Sequence, residues 1–198
     1  MNDLNKKLIL SFLIVFFLGI VALFTLHEAT ESKIQNLNVV SSVSSFELTN
    51  FNNDIFTDNN LKDKITILSF VFTSCPDACP IMSENFSLLQ KRFKDSDLIQ
   101  FVSITVDPEY DSNDILNTFS EKYSNGNNWY FLRGDIDYIS TLSEKGFFLS
   151  ASLLPAGHST RFVLIDKKKN IRKYYEGTDD AAIMELQNDI VFLINEKT

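Results

Sequence analysis

Lys64-Ile65-Thr66-Ile67-Leu68-Ser69-Phe70-Val71-Phe72-Thr73-Ser74-Cys75-Pro76-Asp77-Ala78-Cys79-Pro80 decides how this chain folds. Its first nine residues are a dense β-branched and aromatic run, the kind that fills a strand buried on both faces. A turn holding two cysteines four positions apart follows at once. From Cys79 the spacing changes, with Met82, Phe86, Leu89 and Phe93 recurring at three and four residues, which predicts a helix through Phe93.

The pattern repeats downstream. Leu98 to Val106 reads as a second strand, ended by Asp107-Pro108-Glu109-Tyr110-Asp111. An Asp or Ser cap then opens a helix through Ile115, Phe119 and Tyr123. Asn128 to Leu132 reads as a third strand, followed by a helix from Asp135. Ser159 to Ile165 and Ile171 to Tyr175 read as two strands around the hairpin signal Asp166-Lys167-Lys168-Lys169-Asn170. A last amphipathic helix is expected over 179–195. The order β-α-β-α-β-α-β-β-α predicts an α/β sandwich with a central mixed sheet flanked by helices, parallel at the start and closed by an antiparallel hairpin. This is the thioredoxin-like arrangement, with the reactive turn at the end of the first core strand.

Upstream, Leu8 to Leu26 is free of charge and about 19 residues long, enough to span a hydrocarbon core of about 30 Å as a helix. Lys6 and Lys7 precede it, which places the N-terminus on the cytoplasmic side. The run exceeds a signal-peptide core, and Thr25-Leu26-His27-Glu28-Ala29 is a poor cleavage site. The expected organisation is a transmembrane anchor over 1–29, a polar linker over 30–45 and one domain over 46–198. The formal net charge of −8 disfavours nucleic acid and anionic lipid as partners. No Arg-rich, acid-poor leader is present, so a bacterial inner membrane with the domain in the periplasm is expected rather than mitochondrial import.

Cys75 and Cys79 are the only cysteines in the chain. They can form a disulfide, exchange one, or hold a thiophilic metal. A helix N-terminus favours thiolate, and residues four apart on such a turn come within disulfide range. A purely structural bridge would close so small a loop that it would add little stability. Of the two histidines, His27 borders the apolar run. His158, in Leu154-Pro155-Ala156-Gly157-His158-Ser159, precedes a late strand from which it can approach the thiols. Two thiolates and an imidazole suit Cu(I); zinc is also chemically possible. Met82 reads as core and Lys167 to Lys169 as a solvated hairpin tip. Asp77, Asp107, Glu109 and Asp111 are candidates for partner recognition or for supporting the thiol turn.

Together, Phe70 to Pro80, Ser103 to Glu109 with Asp111, and His158-Ser159 before Phe162 to Asp166 resemble the Sco/SenC family of membrane-anchored copper chaperones. Tyr110 stands where the family usually has Arg. The resemblance implies a thioredoxin-like domain with Cys75, Cys79 and His158 as copper ligands. It also implies delivery of copper to the binuclear centre of cytochrome c oxidase subunit II, or reduction of that centre's cysteines. The alternative is a thiol–disulfide oxidoreductase of the cell envelope that uses Cys75 and Cys79 as its redox-active disulfide with no obligatory metal. A peroxidase variant would need an arginine beside Thr73, and the sequence identifies none.

Overall fold

The computed structural model describes residues 12–23 and 37–196, and the chain divides into two units, Met1–Asn36 and Leu37–Thr198. In the first, residues 12–23 form a helix, α1, with exposed apolar side chains such as Phe12, Phe16 and Phe17. Residues 8–11 and 24–26 of the expected membrane span, and His27, lie outside the described residues. Among the described residues no helix is long and apolar enough to cross a membrane.

The second unit is built on one eight-stranded sheet. Its strands are β1 (Ser41–Ser42), β2 (Glu47–Asn50), β3 (Ile55–Thr57), β4 (Ile65–Val71), β5 (Ile99–Thr105), β6 (Trp129–Arg133), β7 (Arg161–Ile165) and β8 (Asn170–Glu176), in the order β1-β8-β7-β4-β5-β6-β2-β3. The helices are α2 (Ala78–Arg92), α3 (Asn113–Tyr123), α4 (Ile136–Thr141), which runs on into a π turn at Leu142–Gly146, and α5 (Asp180–Asn195). β4, β5 and β6 run parallel, and β7 and β8 close the sheet antiparallel. This is the expected thioredoxin-like sandwich.

Every residue of β4 and β5 is buried, as their dense β-branched and aromatic content favours. One core joins Ile65 and Ile67 to Met82, Phe86 and Leu89 of α2 and to Leu186 and Ile190 of α5. The other joins Leu68 and Phe70 to Ile139, Leu142 and Phe147. Phe86 lies 4.3 Å from the Phe162 ring and 5.5 Å from Phe101, centroid to centroid. Truncating such a side chain to alanine costs about 3–5 kcal/mol. Buried hydroxyls are paired across the parallel strands: Ser69 and Ser103 oxygens are 3.1 Å apart, and the Trp129 indole donates to Ser103 at 3.0 Å.

The expected linker over 30–45 needs correction from Leu37 onward; residues 30–36 lie outside the described residues. Leu37 and Val43 are buried, β1 pairs with β8, and Val43 donates its amide to the Lys169 carbonyl at 2.8 Å. The Arg172 guanidinium takes up the Leu37 carbonyl, which the polar character of this stretch did not foretell. The lysines of the hairpin tip also dock: Lys169 pairs with Asp58 at 2.6 Å, and Lys167 donates to the Ile194 carbonyl. β2 and β3 extend the sheet beyond β6 through the Thr49–Arg133 register.

Topology sets where chemistry can happen. The parallel pair β4 and β5 ends on one edge, joined beyond its ladder by the Val106 amide to the Val71 carbonyl at 2.8 Å. β7 runs antiparallel to β4 with Leu68 opposite Val163, so the loop that enters β7 arrives where β4 leaves.

Candidate metal centre

At that edge the chain after β4 turns into α2. Asp77 occupies the N-cap position but makes no side-chain capping bond. The role passes to sulfur: the backbone N–H groups of Cys79, Asp77 and Ala78 face the Cys75 thiol, as does the Cys79 side chain. Burial opposes ionisation of Cys75, but these donors outweigh it and hold its pKa below the ordinary thiol value. Cys79 is 1% exposed, and its pKa is pushed up to about 12, chiefly by burial, with Cys75 and the Asp111 charge adding to the rise. Both thiols are free, Cys75 half-buried and Cys79 buried.

The late loop brings His158 to Cys79, with Nε2 3.4 Å from Sγ. The other ring nitrogen, Nδ1, lies 3.0 Å from the Ser159 carbonyl and donates to it, which leaves the Nε2 lone pair directed at the thiol. Burial lowers the His158 pKa against the opposing pull of that carbonyl, so the ring is neutral at physiological pH. Phe72 meets the imidazole edge-on, ring centroids 5.4 Å apart, and fixes its plane. Gly157 makes the approach possible: a Cβ there would lie 2.7 Å from the Leu153 Cβ and 2.9 Å from its carbonyl oxygen.

The structure thus joins His158 to Cys79 across 79 positions of sequence. Among the described residues no three His, Cys, Asp or Glu side chains close around one point as a metal site would. Cys79 nonetheless contacts both partners, His158 at 3.4 Å and the Cys75 thiol. The donor types fit: two sulfurs and a neutral imidazole suit soft and borderline cations such as copper.

The four acidic candidates divide. Asp77 and Glu109 are exposed, and Asp107 is half-buried. Asp111 is 0% exposed and so does not belong to an acidic surface. Its carboxylate accepts the amide and hydroxyl of Thr73 and the hydroxyl of Thr105. Arg133, which the sequence did not single out, holds the same turn by donating to the Pro108 carbonyl at 2.7 Å. A cleft of about 300 Å³ beside the thiol turn is lined by Thr73, Tyr110, Ile115, Thr118, Phe119 and Lys122.

Comparison with known proteins identifies the family. The family described as SCO1/SenC matches residues 35–191. This chain belongs to the SCO1/SenC family. A SCO1/SenC family lipoprotein from Bacillus anthracis is 31% identical and superposes with a TM-score of 0.72, covering 78% of this chain and 96% of its own. BsSco, a member of the Sco family of cytochrome c oxidase assembly proteins in which a disulfide switch was identified, is 26% identical with a TM-score of 0.71, covering 81% and 98%. ScoI of Arabidopsis thaliana, solved with copper bound, shares the fold at 23% identity and a TM-score of 0.68, covering 79% and 100%.

Proposed function

We propose that this protein is a membrane-anchored copper carrier that takes up copper through Cys75, Cys79 and His158 and passes it to the binuclear centre of cytochrome c oxidase subunit II. The observation that carries the reading is the imidazole fixed by Ser159 with Nε2 aimed at the buried Cys79 thiol. Membership of a family with a copper-bound member and a cytochrome c oxidase assembly member supports the cargo and the pathway. The anchor reading rests on the apolar run 8–26 behind Lys6 and Lys7 and places the domain on the periplasmic side of a bacterial inner membrane.

As cargo, the copper ion would replace the thiol protons, so loading releases protons and requires the reduced pair. Transfer proceeds by ligand exchange, an acceptor's donors displacing these one at a time. A half-buried Cys75 is the ligand an incoming donor can reach first, while Cys79 and His158 hold the ion from beneath. Copper uptake by the reduced full-length chain tests the reading: one ion per chain is expected, and no uptake by the wild type would overturn it.

The asymmetry of the thiols favours a second reading, a thiol–disulfide reductase. The Cys75 thiolate attacks a partner disulfide, forming a mixed disulfide and releasing one partner sulfur, which takes up a proton. Cys79 then loses its proton to solvent and displaces the second partner sulfur from Cys75, with His158 incidental. Two electrons pass from the dithiol to the partner, leaving the Cys75–Cys79 disulfide. Unchanged oxidase maturation in His158→Ala, with loss in Cys75→Ser, would favour this reading over copper delivery.

A further inference from the structure

We infer that Asp111 is a positioning residue for the thiol pair, acting through Thr73 to fix the backbone that presents Cys75 to Cys79. Two residues before Cys75, Thr73 gives both its amide and its hydroxyl to the Asp111 carboxylate, the amide at 3.2 and 3.3 Å from the two oxygens. The third donor, Thr105, is the last residue of β5, so the carboxylate ties the free end of the thiol turn to the rigid central sheet. Asp111 is itself held by its amide to the Asp107 carbonyl at 2.8 Å, and the turn between them is held by Arg133 at Pro108.

Among the described residues no salt bridge reaches this buried carboxylate, whose polar contacts are hydroxyls and an amide. Such an arrangement is costly unless every acceptor is used, and here the use is to immobilise one side of a two-cysteine turn. On the other side, Cys79 is fixed by its place in α2 and by contact with His158. With both backbones fixed, rotation of the Cys75 side chain is the movement left for closing a disulfide or closing on a metal. The clamp thereby raises the effective concentration of one thiol at the other.

The inference rests on Cys75 and Cys79 working as a pair, as proposed above, and a metal-free measurement tests it. The full-length chain is equilibrated with reduced and oxidised glutathione at pH 7, and the ratio of disulfide to dithiol gives the effective concentration of the pair. Asp111→Ala lowers that value about tenfold, or about 30 mV for the two-electron couple. Thr73→Val, which keeps the amide bond and preserves the fold if Asp111→Ala does not, lowers it about threefold. The two together go no lower than Asp111→Ala, because one acts through the other. Asp111→Asn, whose amide oxygen still accepts from Thr73, stays within about twofold of wild type. Leu193→Ala, in α5 away from the turn, lowers thermal stability and leaves the equilibrium unchanged. A wild-type value in Thr73→Val, or effects of Thr73→Val and Asp111→Ala that multiply, overturns the clamp. Should the wild type bind no copper, the carrier reading fails while this equilibrium still reports on Asp111.

Discussion

Where the β7–β8 hairpin turns, Arg172 donates to Asp166, to Glu196 at 2.9 Å through each of two nitrogens, and to the Leu37 carbonyl. At the other end of the same sheet, where β4 and β5 finish, Cys79 faces His158 and a neutral Nε2 lone pair, and no ion pair is found among the described residues there. Both ends bury polar atoms. At the hairpin end Arg172 meets Asp166 and Glu196, and the result is a cross-link that holds residues 37–45 onto the sheet. At the thiol end the donors are arranged so that lone pairs remain available. The first arrangement serves the fold and the second is suited to receiving something from outside.

Breaking the hairpin end should give the largest effect on stability and none on chemistry. Arg172→Ala leaves Asp166, with a side chain only 8% exposed, without its cation, and costs about 3–5 kcal/mol in a denaturant titration while copper stoichiometry holds. Breaking the thiol end should do the reverse. Gly157→Ala forces the Leu153–Gly157 turn apart and carries His158 away from Cys79. Copper affinity is expected to fall about 10–100-fold by chelator competition, with a change in melting temperature far smaller than that of Arg172→Ala.

The two thiols sharpen the contrast within one end. Alkylation at pH 8 with peptide mass mapping should modify Cys75 and spare Cys79. Because the folded Cys79 pKa lies above the ordinary thiol value of 9.0, the folded state keeps a proton that the unfolded chain releases. Its contribution to stability is therefore complete below about pH 9 and is lost as pH rises toward about 12. Cys79→Ser should flatten that decline. The smallest expected effect is at the Ser112 cap of α3, which accepts from the Ile115 amide. Ser112→Ala should cost about 1 kcal/mol and alter neither thiol.

Much of this was legible in the chain because strong local signals agreed. The unbroken run 64–72, the three-and-four spacing of Met82, Phe86 and Leu89, and the hairpin at 166–170 each have one physical solution. The short strands β1, β2 and β3 were not legible, since runs of two to four residues become strands only by pairing with a sheet edge or with each other. Asp111 read as one more acid in Asp107 to Asp111; that it alone turns inward depends on Thr105 ending β5 and Thr73 following the end of β4. Gly157, Ser159 and Phe72 likewise gain their roles only when β7 lies antiparallel to β4. Thr73, Thr105 and Arg133 carry no local signal of what they hold.

The central claim is that Cys75, Cys79 and His158 form one copper site. The direct test is copper(I) affinity of the reduced full-length chain against a chromophoric chelator, in the wild type, Cys75→Ser, Cys79→Ser and His158→Ala. One ion per wild-type chain, and a loss of about 10-fold or more in each variant, is the predicted result. Undiminished affinity in His158→Ala would contradict it.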